Sequence, residues 1–333
     1  MADLRDPLKD IQNPELQRLL PEMRLRGGLA SGTVEEKRTA YRANVVRAGE
    51  PELVNFIEDG TVPGPAGDIP IRIYRPNADV SDHLPVVLYL HGGGFLSGDL
   101  DTHDPVCRLL ANHVPAVVIA VNYRLAPEHP YPAAAADSFA VLRWLAASGS
   151  SIGGDTSRIA VVGDSAGGNL AAVLALMARE KNEISLKAQV LIYPMLDATL
   201  SSTSLVVNAN MPPFTLVDCV YSWQLYLPKD VDRRNPFVSP LHAEHLAGLP
   251  PALVLTAEYD ILADEGELYA QRLRDVGIDV EHEDFKGMIH GFFHWGGITP
   301  AARLATNRVV QYLRKQLGSV GEVSRTSTAE AAV

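Results

Sequence analysis

A serine hydroxyl acts as a nucleophile at neutral pH only when three partners surround it. A base must take its proton, an acid must orient that base, and donors must receive the negative charge that develops. Gly163-Asp164-Ser165-Ala166-Gly167 supplies the serine. This G-x-S-x-G pentapeptide follows the apolar run Ile159 to Val162 and precedes the helix-like Asn169 to Arg179, the strand, sharp turn and helix of a nucleophile elbow. Glycines at 163 and 167 remove side chains that would strike the neighbouring backbone in so tight a turn. Ser165 then stands at a strand tip above the amino terminus of the next helix, where a developing anion meets backbone N–H groups. The competing reading of an isolated pentapeptide is a chance Gly-Ser-Gly turn. The flanking elements and the partners below weigh against it.

For the donors, His91-Gly92-Gly93-Gly94 follows the run Val86 to Leu90, and successive glycines let the backbone approach a ligand oxygen. Gly93 and Gly94 offer N–H groups from one side and Ala166 from the other; a flexible surface loop is the plainer alternative. His91, at the strand end, suits a role in fixing this loop. For the acid, Glu258-Tyr259-Asp260 follows the run Leu253 to Thr256, at the carboxyl end of a strand where α/β sites form. Asp260 is favoured, with Glu258 and Asp264 as competitors, and Asp264 reads as an acidic N-cap for the next helix. For the base, His290 lies in Gly287-Met288-Ile289-His290-Gly291-Phe292 after the last expected strand. The other histidines, including His103 and His294, read as structural or surface residues, and His242 and His245 lack the H-E-x-x-H pattern. No metal and no cofactor are implied.

These residues need elements to hold them. The apolar runs at 86–90, 117–121, 159–162, 190–193 and 253–256 alternate with helical stretches at 104–113, 133–147 and 169–179, the pattern of a mostly parallel central sheet flanked by helices on both faces. Before them, 53–59 and 69–75 alternate with a period of two and read as an antiparallel pair at a sheet edge. After them come a helix at 264–276, a strand at 280–285 and a helix at 301–317. Residues 1–50 read as a helical cap segment, with a break at Pro21 and a helix at 34–48. The lapse in the alternation at 199–235 reads as a second cap segment with a helix at 216–225. The expected organisation is therefore a core at 51–198 and 236–317, those two cap segments, and a mobile tail at 318–333.

Composition limits the function classes. With 40 acidic and 29 basic residues the formal net charge is −11, which repels polyphosphates and anionic lipid surfaces and argues against nucleic acid as a partner. No stretch reaches the about 18 apolar residues of a membrane span. Met1 to Asp10 is charged and lacks an apolar signal core, so a cytoplasmic location is expected. Cys107 and Cys219 are too few for a disulfide framework and read as buried small hydrophobes.

The order serine, acid, histidine is that of α/β-hydrolases. His91 to Phe95, Tyr123-Arg124-Leu125-Ala126-Pro127-Glu128-His129-Pro130, Gly163 to Asn169 and Asp260 to Gly266 together resemble the hormone-sensitive lipase family of carboxylesterases, bacterial esterase family IV, in its GDSAG-motif branch. The resemblance runs from about Ile69 to Leu317. It implies an α/β-hydrolase fold with a helical cap, nucleophile Ser165, acid Asp260, base His290 and oxyanion donors at Gly93, Gly94 and Ala166. It also implies hydrolysis of short- to medium-chain carboxylic esters through an acyl-enzyme. Ile261 stands where the family usually has proline, and Ala263 where a basic residue is common, which touches loop rigidity rather than the triad. Arg124 and Glu128 read as a structural ion pair or a loop anchor. Met211, Phe214, Trp223, Phe292 and Phe293 are the candidate walls of the substrate pocket. A lactonase, deacetylase or amidase on the same residues is the nearest alternative. A noncatalytic small-molecule receptor, known in the wider family, would lack the histidine present here at 290. The terminal helix and an edge strand leave a homodimer open.

Overall fold

A computed structural model describes residues 11–26, 30, 32–77 and 83–318. Its centre is an eight-stranded sheet: β1 (Phe56–Gly64), β2 (Gly67–Arg75), β3 (Leu84–Leu90), β4 (Val117–Val121), β5 (Gly154–Asp164), β6 (Leu186–Ile192), β7 (Ala252–Tyr259) and β8 (Val280–Ile289). The spatial order is β1-β2-β4-β3-β5-β6-β7-β8. β1 pairs antiparallel with β2, and β2 with β4; the other pairs are parallel. The expected antiparallel edge pair is present, although it turns more tightly than the proline- and glycine-rich linker suggests, because Pro63 and Gly64 remain in β1 opposite Asp68 and Gly67.

Continuous apolar sequence produces the central strands. Every residue of β3 and β4 is buried, as strands covered on both faces require. The covering helices are α3 (Asp104–His113), α4 (Ala133–Ser148), α5 (Ala166–Lys181), α8 (Ala263–Asp275) and α9 (Pro300–Leu317). α5 is apolar nearly all round and buried from Ala166 to Leu176, the signature of a helix enclosed by the molecule rather than lying on it. Each fully buried leucine or valine there contributes roughly 1.5–3 kcal/mol.

The amino-terminal elements differ from expectation in two respects. α1 (Pro14–Arg26) continues through Pro21 instead of stopping there. Leu16, Leu20 and Met23 recur on one face and are buried in the same cluster as α9, so packing offsets the hydrogen bond that proline cannot make. α2 (Val34–Ala43) starts in a capping box between Thr33 and Glu36, has no buried residue, and continues into a 3₁₀ turn at Asn44–Ala48. Within 199–235 lie α6 (Ser204–Val207) and α7 (Leu216–Tyr226), the latter begun by a second capping box, Thr215 with Asp218. The charged start at 1–10 and the tail at 319–333 lie outside the described residues.

Two ion pairs also differ. Arg124 does not meet Glu128; its guanidinium donates to both oxygens of buried Asp137 at 2.8 and 2.7 Å. Glu128 instead accepts from Arg38 of α2 at 2.9 and 2.7 Å, which ties α2 to the core.

Candidate active site

Parallel pairing of β3 with β5 and of β5 with β6 aligns their carboxyl ends, and the loops that leave those ends build the site. Ser165 sits between β5 and α5 at φ 55°, ψ −117°, a left-handed conformation that a serine adopts only under constraint. The constraint is visible. Ser165 N–H donates to Ile192 O at 2.8 Å, and Ser165 O accepts from Met195 N at 3.1 Å and Asn169 N at 3.0 Å. A Cβ on Gly163 would collide with Gly167 O, and one on Gly167 with Leu90 O, so the turn closes only with glycine at both positions.

His290 Nε2 lies 3.0 Å from Ser165 Oγ, and its Nδ1 lies 2.7 Å from Asp260 Oδ2. A carboxylate only accepts, so Nδ1 carries the proton and the Nε2 lone pair faces the serine hydroxyl. Asp260 is 1% exposed. Its other oxygen accepts from Leu262 N at 2.9 Å, and its backbone carbonyl accepts from Asn208 Nδ2 at 3.0 Å, so the loop after β7 and the end of α6 fix it together. The competing carboxylates are engaged elsewhere. Glu258 accepts from Gly287 N at 2.7 Å. Asp264 is not an N-cap; it lies inside α8 and accepts from Ser204 N at 2.7 Å. Glu265, fully buried, accepts from Leu196 and Asp197 N–H at 2.6 and 2.9 Å, and burial raises its carboxyl well above the usual range.

The glycine loop approaches from the other side. Gly93 and Gly94 have positive φ, 116° and 62°, and Gly93 O accepts from Leu96 N, Ser97 N and Ser97 Oγ. His91 stacks on Tyr123 with ring centres 4.2 Å apart, and its Nδ1 lies 2.8 Å from Gly92 O. It fixes the loop as the sequence suggests and does not approach the serine as a base.

Ser165, His290, Gly93 and Gly94 open into one cavity of about 430 Å³. Ala166, buried, is the first residue of α5 and supplies no wall. Of the five candidate pocket residues only Phe214 lines the cavity, with its ring centre 4.8 Å from that of His290. Trp223 packs on Phe95 and Tyr226; Phe292 packs on Phe285 and Tyr193; Met211 and Phe293 are buried in the core. Other walls include residues that sequence reasoning did not select: Ala40, Tyr41 and Asn44 at α2, Tyr193 after β6, Trp295, and His103 and His294, which read there as structural or surface residues. Tyr41 and Asn44 belong to a helix that shows no other sign of chemistry, and no local signal marks them.

The sequence pattern of the α/β-hydrolase fold family matches residues 87–294, which span the strand and helix of the elbow and all three members of the hydrogen-bonded relay. The chain belongs to this family. The resemblance to hormone-sensitive-lipase-type esterases is borne out as well. The chain is 41% identical over 305 residues to the esterase LipI of Mycobacterium tuberculosis, covering 91% of this chain and 94% of LipI. It is 45% identical over 256 residues to the carboxylesterase NlhH of the same species, covering 75% and 79%. Among solved structures, a hyperthermophilic esterase from the archaeon Pyrobaculum calidifontis superimposes with a TM-score of 0.85 at 40% identity, over 91% of this chain and 98% of that one.

Proposed function

We propose that this α/β-hydrolase is a serine carboxylesterase acting on short- to medium-chain esters. The observation that carries the reading is the relay Ser165 Oγ to His290 Nε2 at 3.0 Å and His290 Nδ1 to Asp260 at 2.7 Å, opening into a cavity beside two glycine N–H groups. The naming of the relatives as esterases and carboxylesterases supports it. In the first half-reaction His290 takes the Ser165 proton as Oγ attacks the ester carbonyl, and the imidazolium is held by Asp260. The N–H groups of Gly93, Gly94 and Ala166 receive the oxyanion, each donor being worth about 3 kcal/mol. Collapse breaks the ester C–O bond, and the alcohol leaves with the proton from His290. Water, deprotonated by the same imidazole, then attacks the acyl-serine and releases the acid.

We assign the described residues among 1–50, together with 199–235, to a cap and the rest of the described chain to the catalytic core. This division is supported by α2 and Phe214, which wall the cavity from above the serine. A cavity of about 430 Å³ fits small esters rather than triglyceride. Among the described residues no helix is long and apolar enough to cross a membrane. The test is hydrolysis of p-nitrophenyl esters with acyl chains of two to sixteen carbons by the wild type and by Ser165→Ala. The expected result is turnover greatest at the short end and lost by at least about 10⁴-fold in the variant. Retention of most activity by folded Ser165→Ala overturns the reading.

A further inference from the structure

Asp164, the residue before the nucleophile, is 2% exposed and carries a charge that the proposed relay does not use. One of its oxygens, Oδ1, accepts from Gly92 N at 3.0 Å and from Tyr89 Oη at 2.9 Å. Two imidazoles also face this carboxylate: His103 Nε2 lies 3.3 Å from Oδ1, and His294 Nε2 lies 3.0 Å from Oδ2. His103 comes from the turn before α3 and His294 from the 3₁₀ turn after His290, and both line the cavity.

Thr102 Oγ1 has one hydrogen and donates it to Asp99 O at 2.9 Å, while Oγ1 accepts from Asp99 N. His103 Nδ1 lies 2.8 Å from the same oxygen. His103 Nε2 lies 3.4 Å from Gly92 N as well as 3.3 Å from Asp164 Oδ1. His294 Nε2 is buried and, despite its closeness to Oδ2, makes no hydrogen bond. Two imidazole nitrogens and one carboxylate thus converge beside the cavity.

We propose that His103, Asp164 and His294 form a binding site for a divalent transition metal of the Zn²⁺ class, and that occupancy suppresses turnover. The three ligand atoms lie within 4.8 Å of one another, and a cation with bonds of about 2 Å seats among them once the rings close by less than about 1 Å. Imidazole and carboxylate donors select Zn²⁺, Cu²⁺ or Ni²⁺ over Mg²⁺. Three protein ligands leave a position open toward the cavity, within the same walls as Ser165. Metal binding also draws Asp164 away from Gly92, whose neighbours are the proposed oxyanion donors. The inhibitory consequence rests on the esterase reading; the binding does not.

The experiment titrates purified full-length protein with Zn²⁺ by calorimetry, and with Co²⁺ by visible absorption, which reports nitrogen ligation and low coordination number. Esterase turnover is followed with and without a chelator. The wild type is expected to bind one equivalent, to develop the Co²⁺ bands and to lose activity that the chelator restores. Since outer partners alone are worth about 10- to 100-fold in metal affinity, His294→Ala is expected to weaken binding by at least about 100-fold. His294→Gln serves as a second variant if the alanine form does not fold. His290→Ala is expected to bind Zn²⁺ as the wild type does. Absence of a one-to-one site, or binding that requires His290, overturns the site. Binding that leaves turnover unchanged overturns its inhibitory role.

Discussion

Asp164 reaches across from the end of β5 to the loop that leaves β3 and accepts the Gly92 N–H at 3.0 Å. The two strands are paired in parallel, with Leu90 opposite Gly163, so the residue before the nucleophile and the residue before the glycine donors fall side by side. One carboxylate thereby ties together the segments of the proposed nucleophile and the proposed oxyanion donors.

Removing that carboxylate strands the hydroxyl of Tyr89, at about 1–3 kcal/mol when buried without a partner, and leaves the N–H of Gly92 only its long 3.4 Å contact with His103 Nε2. Asp164→Ala is expected to lower kcat by about tenfold or more, with a smaller change in KM, and to lower Tm. Asp164→Asn retains an acceptor for Gly92 and is expected to recover much of kcat. Steady-state kinetics and thermal unfolding of both variants check this; equal losses in the two would show that Gly92 does not depend on the acceptor.

Arg38 holds α2 to the core through Glu128 and through the carbonyls of Leu96 and Ala126, at 2.9 and 3.2 Å. Because Ala40 and Tyr41 on α2 wall the cavity, Arg38→Ala is expected to raise KM several-fold while costing only about 1–2 kcal/mol of stability. Lysine cannot reproduce the forked contacts, so Arg38→Lys should behave like the alanine variant in the same kinetic assay.

Phe214 and Trp223 separate pocket from core. Phe214→Val enlarges the cavity beside His290 and is expected to move the chain-length optimum toward longer esters. Trp223→Leu is expected to cost about 2–4 kcal/mol of stability and leave the chain-length profile in place. A profile across p-nitrophenyl esters, paired with urea unfolding, distinguishes the two. A shifted optimum in the Trp223 variant would return that residue to the pocket.

His91 is fully buried, and burial, aided by nearby His103, lowers its pKa from 6.5 to about 4. The unfolded chain therefore takes up a proton as pH falls below about 6.5 while the folded chain does not, so folding loses stability on acidification. The loss from this one group amounts to about 3 kcal/mol between pH 6.5 and 4. His91→Phe, which keeps a ring against Tyr123, is expected to flatten this part of the stability profile, read as Tm across that range.

Much of the fold and the relay is legible in the residues themselves. Continuous apolar runs such as Val86 to Leu90 specify strands buried on both faces, because only such a strand hides every side chain. Gly163 specifies the elbow because the collision it avoids, with Gly167 O, is local to the turn, whereas Gly167 makes room for Leu90 O at the end of β3. The order of Ser165, Asp260 and His290, each after a strand, follows from parallel strands presenting the same end.

Tertiary structure decided the rest, where partners lie far apart in the chain. Periodicity shows that Trp223, Phe292 and Phe214 are apolar, but not which of them faces a void, since wall and core share one composition. The partners of Arg38 and Arg124 depended on where α2 came to rest on the sheet. Asp164, His103 and His294 carry no common motif. They meet because β3 and β5 pair in register and the turn after His290 folds back over both, a relation that exists only once the sheet has formed.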